Sequence, residues 1–163
     1  MQTVTLFEED FETWTELQVA ALRRIASNSG PWTNTLDWEN VIEEIEGLGS
    51  DQRRAVESLL ENAFAHALKI VAEPDSLSAE HWKKEVTAFL DQAREKMRPA
   101  IRSRIDMEKI WQTACKQASN ALEAFDRRMP EVPQRCPCSF DEAMGGTLES
   151  LLYLRLLAIS KTA

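Results

Sequence analysis

Apolar residues recur along this chain at spacings of three and four, the period of one face of an α-helix. Between about Asp10 and Ala26, the residues Phe11, Trp14, Leu17, Ala21, Leu22 and Ile25 fall on one stripe, with Glu12, Glu16, Arg23 and Arg24 outside it. Ser27-Asn28-Ser29-Gly30-Pro31 stops that helix. A second is predicted to open after Asp37, a good N-cap, and to run to about Leu48 on a stripe of Trp38, Val41, Ile42, Ile45 and Leu48. Gly47 and Gly49 mark a break or a kink. A third, about Ser50 to Ala72, is the most regular, with Val56, Leu59, Leu60, Ala63, Phe64, Ala67, Ile70 and Val71 on a wide apolar face. A fourth, about Ala79 to Met97 behind Ser78 as cap, buries Trp82, Val86, Phe89, Leu90, Ala93 and Met97 before Pro99 ends it. A short segment around Ile101–Ile105 leads into a fifth, from about Met107 to Arg127.

Pro130, Pro133 and Pro137 then force an extended crossing, and Ser139-Phe140-Asp141-Glu142 has the order of a capping box opening a sixth helix. Beyond Gly145-Gly146, the stretch from Leu148 to Ile159 is apolar almost all round. It is too short to span a bilayer, which takes about 20 residues. Such a helix is buried, in its own core or against a second subunit. The pattern therefore predicts an all-α protein, a single-domain multi-helix bundle of six to seven helices. Residues 1–146 form the bundle domain, and residues 147–163 an apolar C-terminal helix packed on the bundle or on a second subunit.

Composition adds limits. The 163 residues suffice for one domain, and 44% hydrophobic with 28% charged residues is too apolar for a disordered chain. The N-terminal residues are already acidic, so a signal peptide is not expected, and reduced cytoplasmic thiols are the default for Cys115, Cys136 and Cys138. Net charge is −8 and uneven: residues 1–76 hold 15 acids against 5 bases, the remainder 12 against 14. Acidic bulk charge disfavours nonspecific nucleic-acid binding, and complementary faces within the fold or between subunits account for the asymmetry.

The order of features resembles a known family. Asp10-Phe11 with Trp14, then Asp37-x-Glu39-Asn40-x-x-Glu43-Glu44-x-Glu46, then Leu59-Leu60 with His66, Leu68 and Lys69 carry the likeness. Trp82 with Val86, Pro99-Ala100-Ile101-Arg102 and Cys136-Pro137 extend it. Together they resemble the bacterial "domain of unknown function 29" family over about residues 6–145. The resemblance implies an all-helical bacterial protein and no particular activity. Two departures stand out: Cys138 occupies a place where an aromatic usually follows the Cys-Pro pair, and the apolar tail continues past the usual end of the family.

The candidate chemistry begins with the acidic helix, where Asp37, Glu39, Glu43, Glu44 and Glu46 fall within ten residues. At about 100° per residue from Trp38, Glu39, Glu43 and Glu46 lie on one flank and Asp37 and Glu44 on the other. Asp37 is explained as the cap, and Glu39 as a first-turn acid favoured by the helix dipole. A candidate polar cluster remains: Asp37, Glu44 and His66, the set that a divalent-metal-dependent, hydrolase-like enzyme would need on facing flanks. The chain lacks the Glu-x-x-His pairs of di-iron bundles. His66 borders the apolar face of its helix, so a structural hydrogen bond to a carboxylate competes with that reading. No cofactor motif is present, and Cys136-Pro137-Cys138 lacks zinc-site spacing.

Arg94, Lys96, Arg98, Arg102 and Arg104 form a candidate basic patch interrupted only by Glu95. It is suited to phosphates but has no aromatic residues for base stacking, and the acidic helical faces are its natural partners. The expectation that follows is a cytoplasmic helical interaction module, homo-oligomeric through Leu148 to Ile159. The metal-dependent enzyme and, more weakly, nucleic-acid binding are its rivals.

Overall fold

Seven α-helices, and no strand, occur among the residues that the computed structural model describes, which are 2–28, 35–147 and 150. They are α1 (Gln2–Glu9), α2 (Phe11–Ser27), α3 (Trp38–Ala72), α4 (Ala79–Lys96), α5 (Pro99–Arg102), α6 (Met107–Glu123) and α7 (Phe140–Gly145). The protein is all-α. The apolar stretch 148–159 lies outside the described residues. Among those described, no helix is long and apolar enough to cross a membrane. They group into two compact units, one drawn from Met1–Arg54 with Arg98–Arg104, the other from Ala55–Met97 with Ile105 onward.

In the first unit, Asp10 caps α2: Thr13 donates its backbone N–H to Oδ1 at 3.0 Å and its hydroxyl to Oδ2 at 2.6 Å. Helix α1, absent from the pattern-based expectation, is held by aromatic contact. The Phe7 ring meets Phe11 and Trp14 edge-on at 5.3 and 4.8 Å between centroids. The two glycines do not break the next helix, because α3 runs through both without interruption. The reason lies across the seam. A Cβ on Gly49 would stand 2.0 Å from Thr15 Oγ1, so the missing side chain lets α2 approach α3. Thr15 donates its hydroxyl to the Glu12 carbonyl at 2.7 Å, which keeps it satisfied inside the contact. The buried line of α2 consequently passes through Thr15 and Val19, whereas the expected core residues Leu17 and Ile25 are 54% and 52% exposed.

The second unit follows its sequence pattern closely. Val56, Leu60, Phe64 and Leu68 of α3, Val86 and Leu90 of α4, and Ile110, Trp111 and Ala114 of α6 are buried. The Phe64 ring meets Trp111 edge-on at 5.8 Å, and the indole N–H of Trp111 donates to the Pro133 carbonyl at 2.9 Å. That bond ties down the proline-rich crossing. Asp106 caps α6 through the N–H groups of Glu108 and Lys109. Ser139 and Glu142 form the reciprocal capping box on α7. At the other end of α7, Arg94 donates to the carbonyls of Met144 at 2.7 Å and Gly146 at 3.2 Å, which satisfies oxygens that a helix end leaves open.

Candidate functional site

Asp37 is the cap of α3, accepting the Asn40 backbone N–H at 3.2 Å together with the Asn40 side-chain amide. Asp37 and Glu44 are both exposed, and Glu46 pairs with Arg23 at 3.0 Å. His66 stands on the same unbroken helix, about six turns beyond Glu44. Side chains of one helix meet at separations of three and four residues. Asp37 and Glu44 belong to the first unit and His66 to the second. Among the described residues, no three His, Cys, Asp or Glu side chains gather as a metal site requires.

His66 has other partners, all in the second unit. Its Nε2 lies 2.9 Å from a Glu85 oxygen and its Nδ1 2.9 Å from the Asn62 carbonyl, with the Phe89 ring edge-on at 5.4 Å. The second Glu85 oxygen reaches the exposed His81 at 3.3 Å. Both nitrogens of His66 thus face acceptors, and a neutral imidazole has one N–H to offer them while the cation has two. Burial opposes the cation most strongly and Lys69 adds to that opposition, while the Asn62 carbonyl and Glu85 favour it; the balance holds the pKa below the usual 6.5. Lys69 lies with its ammonium 4.9 Å over the Trp82 ring, and burial lowers its pKa too.

Beside this cluster opens a cavity of about 420 Å³, lined among others by Lys69, Glu73, Trp82, Phe125 and Arg127. Glu73 and Arg127 pair across 3.3 Å. Glu85 was not singled out from the sequence, although its place four residues after His81 on one helix was a usable signal. Its approach to His66 joins separate helices, and no local pattern reports that.

The basic run divides between the two units. Arg94 is engaged by Asp91 and by the end of α7, within the second unit. Arg104, within the first, pairs with Glu16 at 2.8 Å and Glu12 at 3.4 Å and donates to the Thr13 hydroxyl at 2.8 Å. Lys96, Arg98 and Arg102 also carry interactions within the chain. For Arg104, the acidic flank of α2 takes up the cation.

With that geometry in hand, the sequence pattern of the family described as "Domain of unknown function DUF29" matches residues 6–147. The chain belongs to this family. The DUF29 chain is also similar to a crystal structure at 1.45 Å of an alpha-helical protein of unknown function from Rhodospirillum rubrum. The two are 22% identical, the match covers 90% of this chain and 95% of the other, and the TM-score is 0.75. At that identity the likeness is one of fold. No curated protein matches the DUF29 chain.

Proposed function

We propose that the chain is a small helical interaction module that self-associates, through the apolar segment 148–159 and an exposed apolar line on α2. The line on α2 carries the reading. At about 100° per residue, Trp14, Leu17, Ala21 and Ile25 share one flank of the helix, and Glu12, Glu16 and Arg23 share the opposite flank. The charged flank is engaged in ion pairs with Arg53, Arg104 and Glu46. On the apolar flank, Phe7 of α1 packs against Trp14, while Leu17, Ala21 and Ile25 continue the line in exposed positions. Isolated exposed leucines are ordinary on a protein surface, but three apolar positions at four-residue spacing form a face of the kind that partners cover.

Cytoplasmic residence goes with this reading. Cys115, Cys136 and Cys138 are free thiols, the state that a reducing compartment maintains. Light scattering on the full chain and on a chain lacking residues 147–163 tests the proposal. The full chain is expected above its monomer mass of 18.6 kDa, and the shortened one at a single-chain mass with its helical signal intact. A shortened chain that unfolds would assign the tail to the core and end its role in assembly.

A further inference from the structure

The Cys136-Pro137-Cys138 turn lies outside the surfaces just described, and its geometry is specific. The Cys136 thiol donates to the Cys138 carbonyl at 3.2 Å, and the two thiols are close enough to shift each other's ionisation. Glu108 of α6 anchors the turn by accepting the Cys136 backbone N–H at 2.9 Å. On the far side, Ser139 is fixed by its capping box with Glu142. Cys136 is half-buried, whereas Cys138 is only 7% exposed. Two sulfurs are thus held together between two anchors, one within reach of solvent and one behind it.

We infer that Cys136 and Cys138 form a redox-active dithiol that exchanges with low-molecular-weight disulfides, Cys136 attacking first and Cys138 resolving. The Cys136 thiolate attacks one sulfur of the disulfide, whose S–S bond breaks, and the released thiolate takes up the proton that Cys136 gave up. Cys138 then loses its proton to solvent and attacks the Cys136 sulfur, expelling the second small thiol. Two protein thiols are oxidised to one disulfide and one small disulfide is reduced to two thiols.

The order of attack suits the electrostatics. The Cys138 S–H bond lowers the Cys136 pKa, against burial and the nearby Glu108 and Glu142. The same bond, with burial, raises that of Cys138. Once Cys136 carries the mixed disulfide, the thiolate that held the Cys138 proton in place is gone, and Cys138 is released to react. A bridge spanning one intervening residue closes a small, strained ring. Such a bond is readily reduced again, as an exchange or sensing site requires and a structural staple does not.

Glutathione disulfide, applied to the folded full chain with tryptic mapping of each cysteine, tests this directly. Cleavage after Arg135 puts Cys136 and Cys138 on one peptide and Cys115 on another. The expected result is loss of two hydrogens from the peptide that starts at Cys136, ahead of any change at Cys115. Cys138→Ser is expected to stop at one glutathionyl group on Cys136, and Cys136→Ser to leave Cys138 unmodified until the chain is denatured. A glutathionyl group that persists on wild-type Cys136 with no internal bond would overturn the inference. So would equal rates at Cys115 and Cys136, or unchanged reactivity of Cys138 in Cys136→Ser.

Discussion

The two units of this protein are held by different means. The second has an apolar core in which Val56, Leu60, Val86, Ile110 and Ala114 are fully or almost fully out of water. Among its described residues, the first buries few large side chains. Its helices meet at a glycine and a threonine, and its outer flank is joined by Arg23–Glu46, Arg53–Glu12 and Arg104–Glu16 pairs. The exposed Arg23–Glu46 pair contributes only about 0–1 kcal/mol, while Arg53–Glu12 is part-buried. The first unit therefore depends on close backbone approach and on its aromatic cluster, and it leaves apolar side chains outward. The second buries a larger set of apolar residues, although Leu77 and Phe125 stay exposed. Leu17, Ala21 and Ile25 stand exposed at regular spacing on α2, the surface proposed for assembly.

The sharpest break in this comparison comes from the core. Leu60→Ala should cost about 2–5 kcal/mol in urea unfolding, as truncation of a fully buried leucine does. The seam of the first unit gives the next largest effect, and its sign is position-specific. Gly49→Ala must displace Thr15 and should cost about 1–3 kcal/mol. Gly47→Ala, with nothing within 4 Å of its new Cβ, should instead stabilise by about 0.5–1 kcal/mol. A double-mutant cycle of Gly49→Ala with Thr15→Ala should recover much of the loss if the clash is the cause.

The smallest effect is a pH dependence in the second unit. His66 has a folded pKa below its unfolded value, so the unfolded chain binds the proton more readily between the two values. Stability should be complete above the unfolded value of about 6.5 and fall as pH drops below it. His66→Gln should flatten that part of the profile of melting temperature against pH. A gain of stability in acid would mean that the Asn62 carbonyl and Glu85 outweigh burial.

The contrast also explains what the sequence disclosed. The stripes of the second unit, the capping box at Ser139 and, in the first unit, the cap at Asp37 depend on neighbours three or four residues away, and local patterns express them. The first unit hides its logic. Helix α1 begins with Thr and Val residues of modest helix propensity, and it depends on the contacts of Phe7. Gly47 and Gly49 look like breakers until Thr15 is placed against Gly49. Leu17 and Ile25 look like core because periodicity reports a shared face and not which face is covered. Asp37, Glu44 and His66 suggested separate helices, whereas Glu44 and His66 stand on the one helix α3 that Asp37 caps. Glu85, the real partner of His66, lies on another helix, beyond any local signal.

The central claim is that the apolar flank of α2 is an assembly surface. Light scattering of the full chain beside its Leu17→Glu, Ile25→Glu variant, over a range of concentrations, tests it most directly. The full chain should exceed 18.6 kDa, and the variant should fall to that mass with unchanged helical content. A wild-type chain that stays at 18.6 kDa throughout, or a variant that assembles as before, would contradict it.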